Sequence, residues 1–372
     1  IYSRLTNPTV DMLAKRIAAV EGGAFGVATA SGSSAVFYSL VNLAQNGDNI
    51  AYSNKIYGGS QTLLVHVLKR FGIEGRVFDI DNLSSLEKII DDKTKAIFFE
   101  SLSNPQIAIA DVETITNIAK KHKIVTICDN TVATPILFRP FDFGVDVSVH
   151  SLTKYINGHG SGLGGAVIER EGLNELIKDN SRYPAFNTPD ESYHGLIYAN
   201  LPLPIFSIRI LIEWLRNIGA SLSPQNAWIH FQGLETLELR IQKHSDSALE
   251  IAKFLESHKK VKEVNYPGLT SSPYHNLLKK YFKDSRASGL LSFEDQRYEE
   301  AKKICDSLTL YSITANIGDS KSLVIHPAST THSQLSESEL KSAGITPNTV
   351  RLSIGLETVS DLIADLKKAI EK

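Results

Sequence analysis

Between residues 24 and 169, short apolar runs alternate with stretches of helical period. The runs over 26–30, 49–52, 75–80, 95–100, 124–129, 146–151 and 164–168 are β-branched and nearly continuous in apolar character. Strands buried on both faces of a parallel sheet read this way. The intervening segments 33–44, 60–70, 83–90 and 112–122 carry the helical period. Together they predict an α/β domain with a mostly parallel, seven-stranded sheet, in which ligands gather at the carboxyl ends of the strands. Residues 180–206 break the pattern with Tyr183-Pro184, Thr188-Pro189-Asp190 and Leu201-Pro202-Leu203-Pro204. These are turn signals without a period. Ser223 followed by Pro224 is a good helix start, and the helical pattern then runs to about residue 256. A large domain is therefore expected over 1–228. A smaller α+β domain is expected over 229–372, with short strands at 289–293 and 323–326 and an amphipathic helix at 360–370.

The length of 372 residues agrees with two domains. A formal net charge of -2 without basic blocks argues against nucleic acid or an anionic membrane surface as the main partner. No apolar run is long enough to span a bilayer. Cys128 and Cys305 are the only cysteines, which favours reduced thiols in a cytoplasmic protein over a disulfide framework. The chain begins at Ile1 rather than Met, so a preceding segment is expected, and the lack of a signal peptide carries little weight.

Candidate chemistry concentrates where predicted strands end. Lys154 sits in a polar turn, between the hydroxyls of Ser151 and Thr153 and a glycine cluster at Gly158 and Gly160. A lysine held there can bond to an aldehyde cofactor, or it can be a solvated loop lysine. The turn Ser31-Gly32-Ser33 opens a helix whose first N–H groups could hold a phosphate, with Ser31 the alternative N-cap. It lacks the dinucleotide-binding glycine pattern. Asp129 ends an apolar strand, where a carboxylate needs a partner; a protonated ring nitrogen or the Asn130-Thr131 turn would serve. Tyr57 precedes Gly58-Gly59 and could aim its ring over a planar group, or pack as an ordinary tyrosine. Asn104-Pro105 closes a turn, or offers an amide to a ligand. Arg351 alternates with Val350 and Leu352, so it leaves the apolar face either for water or to grip a carboxylate bidentately. His326 and His332 bracket a short loop, but no third ligand lies nearby in sequence, so no metal is expected. Nucleophile-elbow and Walker motifs are absent, which leaves hydrolase and nucleotidase readings without support.

In order and spacing, Tyr2-Ser3-Arg4, Ser31-Gly32, Tyr57-Gly58-Gly59, Asp129-Asn130-Thr131, Ser151-Leu152-Thr153-Lys154 and Arg351-Leu352-Ser353 resemble the trans-sulfuration (Cys/Met metabolism) family of fold type I pyridoxal phosphate enzymes. The resemblance covers nearly the whole chain. It implies pyridoxal 5'-phosphate as cofactor and Lys154 as the Schiff-base lysine and proton shuttle. It also implies Asp129 on the pyridine nitrogen, and Tyr57 as a catalytic residue stacked on the ring and helping proton transfer at the substrate amine. Gly32, Ser33, Ser151 and Thr153 would hold the phosphate, Asn104 would contact the ring oxygen, and Ser31 and Thr131 would also be cofactor-binding. Arg351 would hold the substrate carboxylate. Tyr2 and Arg4 would reach the phosphate of a neighbouring subunit, implying a homotetramer built from catalytic dimers. The run from Lys154 to Gly165, the segment Pro189–Gly195, and Ala315-Asn316-Ile317-Gly318-Asp319 with the His326–His332 loop most resemble the O-acetylhomoserine sulfhydrylase branch. That branch carries out γ-replacement on O-acetylhomoserine with sulfide or a thiol, giving homocysteine or methionine, and Asn316 would line its substrate side. Lyases and cystathionine synthases of the family usually carry Ser where Asn316 stands, and methionine γ-lyases carry Cys where Gly59 stands. A cystathionine γ-synthase or a γ/β-lyase remains the alternative. The sulfur donor is open among sulfide, a thiol and a sulfur-carrier protein.

Overall fold

The computed structural model describes residues 1–297, 300–330 and 346–372. Its larger sheet contains β1 (Phe25–Thr29), β2 (Asn49–Ser53), β3 (Glu74–Phe78), β4 (Thr94–Glu100), β5 (Val125–Asp129), β6 (Val147–Ser151) and β7 (Gly165–Glu169). The spatial order is β1-β7-β6-β5-β4-β2-β3. β7 runs antiparallel to both β1 and β6, and the other pairings are parallel. The expected seven strands are thus present, each within two residues of its expected ends. Period two divides their side chains between two cores. Ile97 and Phe99 enter one, while Ala96 and Phe98 enter the other, and Cys128 and Ile127 divide in the same way.

Local signals in the sequence set where the helices start and stop. α1 (Pro8–Glu21) starts at Asn7, whose side chain accepts the N–H groups of Thr9 and Val10, and ends at Gly22 in the left-handed region. α2 (Gly32–Val41) begins directly after β1 and covers β6 and β7. α3 (Val112–His122) matches its expected limits. The expected helix from 223 to 256 is instead two, α4 (Pro224–Glu235) and α5 (Leu237–Glu256), joined at Thr236, whose φ of -112° and ψ of 6° leave the helical region. Residue 228 lies inside α4. The helix expected over 60–70 starts earlier, at Gly58, and passes through a wider turn (Leu63–Val67) and a tighter one (Leu68–Phe71) before Gly72.

The smaller sheet contains β8 (Val261–Asn265), β9 (Leu290–Asp295), β10 (Ser312–Ile313), β11 (Leu323–Ile325) and β12 (Thr349–Ser353). It is ordered β10-β11-β12-β9-β8 and is antiparallel except for β10 with β11. The C-terminal helix α6 (Val359–Glu371) packs on α5. Among the described residues, no helix is long and apolar enough to cross a membrane. His326 hydrogen-bonds Ser329 and the carbonyl of Pro347, while His332 lies outside the described residues.

Candidate active site

A cavity of about 440 Å³ opens where the carboxyl ends of β4, β5 and β6 face the smaller sheet. Its walls include Ser31, Gly32, Ser33, Tyr57, Asn104, Asp129, Thr131, Ser151, Thr153, Lys154, Asn316 and Arg351, so the fold brings nearly the whole expected set together. Tyr2 and Arg4 are elsewhere. They lie near Ser221 and Leu222, with the Arg4 guanidinium 5.0 Å from the centre of the Tyr2 ring.

The floor is built from strand ends and the start of α2. Ser31 caps that helix: its hydroxyl oxygen accepts the Ser34 N–H at 3.1 Å, and the Ser34 hydroxyl oxygen accepts the Ser31 N–H at 3.1 Å. The N–H groups of Gly32 and Ser33 have no partner among the described residues and mark the positive end of the helix. A Cβ on Gly32 would stand 2.5 Å from the Cβ of Ser151. Glycine is therefore what lets α2 press against the turn that carries Lys154. Thr131 and Thr153 spend their hydroxyls holding the cradle together. The Thr131 hydroxyl accepts the Ser151 N–H at 2.8 Å. The Thr153 hydroxyl accepts the Gly164 N–H at 3.1 Å and donates to its carbonyl at 3.3 Å.

Charge is distributed unevenly around this space. Lys154 Nζ donates to Asn316 Oδ1 at 2.6 Å. Burial, and then the nearby Arg351 cation, push the Lys154 amine down to about 8. Arg351 projects from the central strand β12 and is buried rather than solvated. It donates to Asn104 Oδ1 at 3.1 Å and to the Asn316 carbonyl at 3.0 Å, while its Nε–H is buried without a partner among the described residues. Asp129 accepts the Thr131 N–H at 3.0 Å. No cation lies within ion-pair distance of its carboxylate among the described residues, and burial raises its pKa. Tyr57 is half-exposed at the mouth, with its ring folded over Gly59, where an added Cβ would come within 2.4 Å of it.

Glu100 was not singled out in the sequence. It ends β4 beside Asp129 in the register and lines the same cavity. Its signal was available, because Phe98-Phe99-Glu100 is an apolar strand ending in a carboxylate, as Ile127-Cys128-Asp129 is. Burial, and then the neighbouring Asp129, hold the Glu100 carboxyl well above the usual range.

The chain matches the family model described as Cys/Met metabolism PLP-dependent enzyme over residues 1–371. It belongs to that family. It is 44% identical over 371 residues to an O-acetyl-L-homoserine sulfhydrylase of Corynebacterium glutamicum, covering 99% of this chain and 85% of the relative. It is 40% identical over 376 residues to a homocysteine synthase of Schizosaccharomyces pombe, covering 100% and 87%. A crystal structure from Campylobacter jejuni, described as an O-acetylhomoserine (thiol)-lyase and holding N'-pyridoxyl-lysine-5'-monophosphate, superposes with a TM-score of 0.99. The two chains are 68% identical, and the match covers 100% of this chain and 88% of that one.

The residues present fit pyridoxal phosphate. Free N–H groups at a helix start suit the phosphate, and the unpaired Asp129 carboxylate suits a cationic ring nitrogen. Lys154, the one lysine lining the cavity among the described residues, offers an amine to the aldehyde. The buried, unpartnered Nε–H of Arg351 suits an anionic group beside it.

Proposed function

We propose that this enzyme catalyses γ-replacement on O-acetylhomoserine, exchanging acetate for sulfide or a thiol to give homocysteine or methionine. The observation that carries the reading is the convergence of Asp129 from the end of β5, Lys154 from the turn after β6 and Arg351 from the middle of β12 on one cavity. The relatives named for O-acetylhomoserine and homocysteine supply the substrate. Asn316 supports replacement over the lyase and cystathionine γ-synthase alternatives, which usually carry Ser at that position, and Gly59 supports it over methionine γ-lyases, which carry Cys there.

When bound, the cofactor supplies an aldehyde for amines and a ring that draws electrons from the substrate's α-carbon. Gly32, Ser33 and Ser151 would hold its phosphate, Asp129 its ring proton, and Asn104 would lie beside its ring oxygen. Arg351 grips the substrate carboxylate and so aims the α C–H bond at Lys154. Lys154, held low enough to be neutral in part near pH 8, takes that proton and returns it at the end. Asn316 fixes the resting position of Nζ, at 2.6 Å. Tyr57, half-exposed in the cavity wall at the mouth, would stack on the cofactor ring and assist proton transfer at the substrate amine.

Tyr2 and Arg4, remote from this cavity, would complete the cavity of a neighbouring subunit, giving catalytic dimers paired into a tetramer. The two buried, unpaired thiols fit a cytoplasmic enzyme. Sulfide is the simplest sulfur donor, and a sulfur-carrier protein would require that mouth to admit a peptide terminus. The direct test is Lys154→Ala. The variant should show no turnover and lose the visible absorbance of lysine-bound cofactor; full activity would overturn the reading.

A further inference from the structure

The proposed chemistry leaves Glu100 without a role, yet its position is costly. It is 6% exposed, stands next to Asp129 in the β4–β5 register, and has no cation within ion-pair distance among the described residues. A buried acid beside a second acid persists only where something compensates it. Each of its oxygens has a separate duty. Oε1 accepts the Tyr57 N–H at 2.6 Å, and Oε2 accepts the Asn104 N–H at 3.1 Å. Those two residues come from different loops, one before the short helix Gly58–Thr62 and the other after β4.

From this geometry we infer that Glu100 is a positioning residue, joining the Tyr57 wall of the cavity to the Asn104 wall and, through Asn104, setting Arg351. Asn104 Oδ1 accepts from Arg351 Nη1 at 3.1 Å, so the path from Glu100 to the substrate-carboxylate grip is two hydrogen bonds long. The requirement for an acid follows from the fork. A carboxyl group presents two oxygens to two fixed N–H donors, whereas a glutamine presents one oxygen and sets an NH2 group against the other donor. An aspartate keeps the fork but is one methylene shorter, too short to meet both loops at once. The carboxyl of Glu100 thus couples the aromatic cover to the carboxylate grip, and both shift when it is lost.

The inference rests on the proposed γ-replacement, and its test separates the two. Glu100→Gln and Glu100→Asp are compared with wild type as holoenzymes. The readouts are kcat/KM for the amino-acid acceptor, kcat/KM for sulfide, cofactor content and thermal unfolding. In Glu100→Gln, acceptor kcat/KM should fall about tenfold or more with the cofactor retained, while sulfide kcat/KM stays within about twofold. Glu100→Asp should not restore the acceptor value. Wild-type acceptor kinetics in Glu100→Gln would overturn the inference. So would an equal fall for acceptor and sulfide that tracks lost thermal stability, since that marks a purely structural residue. A wild-type enzyme that makes no homocysteine would instead overturn the substrate assignment. The Glu100 comparison then proceeds with whichever amino acid perturbs the visible spectrum of the bound cofactor.

Discussion

Lys154 owes its reactivity to its surroundings. Moving an ammonium out of water costs free energy, and Arg351 adds a like charge, so both causes favour the neutral amine. The pKa falls from 10.5 to about 8, which leaves a substantial neutral fraction near physiological pH. In cofactor-free protein, the rate of covalent cofactor incorporation should therefore rise with pH through a midpoint near 8. Arg351→Gln should move that midpoint upward, because removing a cation relieves the penalty on the ammonium. Stopped-flow absorbance across pH measures both, and a midpoint near 10.5 would contradict the burial effect. At this scale much was legible in the sequence, since Lys154, Asp129 and Arg351 all stand at or in apolar strands where a charge needs a reason. Glu100 carried the same signal and was passed over. Its neighbour Asp129 is 29 positions away in the chain, and only strand pairing sets the two carboxyls side by side.

Elements turn these residues into a site. The start of α2 and the Lys154 turn meet at Gly32, where an added Cβ would lie 2.5 Å from the Cβ and 2.8 Å from the Cα of Ser151. Because one of those atoms is backbone, the contact cannot relax by a side-chain rotation. Gly32→Ala should weaken cofactor affinity about tenfold or more, and overpacking should cost stability of about 1–3 kcal/mol. Cofactor titration and thermal unfolding measure the two effects, and unchanged affinity would contradict the close packing of helix and turn. Strands and the helix Val112–His122 were readable from period and composition, because their apolar positions are what the core demands. α1 was missed, although Asn7-Pro8 is a helix start of the kind recognised at Ser223-Pro224. The break at Thr236 was also missed, because the apolar period continues across it and only the backbone angles depart.

At the scale of the whole molecule, the site belongs to both sheets. The large sheet supplies Glu100, Asp129 and the Lys154 turn, and β12 of the small sheet supplies Arg351. The order β1-β7-β6-β5-β4-β2-β3 is not written in any local pattern. Chain crossovers set it, and so the meeting of residues as distant as Asn104 and Arg351 became visible only in the structure. A second tie between the halves runs from Lys55 to Tyr274 at 2.7 Å, close in sequence to Tyr57. On the proposed reading, a substrate gripped by Arg351 would lie over Lys154, and the outcome would depend on whether a sulfur nucleophile replaces the acetate. The most direct measurement is product analysis of the holoenzyme with O-acetylhomoserine, with and without sulfide. Homocysteine and acetate in equal amounts, formed only when sulfide is present, is the predicted result. Release of a keto acid and ammonia at the same rate without sulfide would contradict it and make the enzyme a lyase.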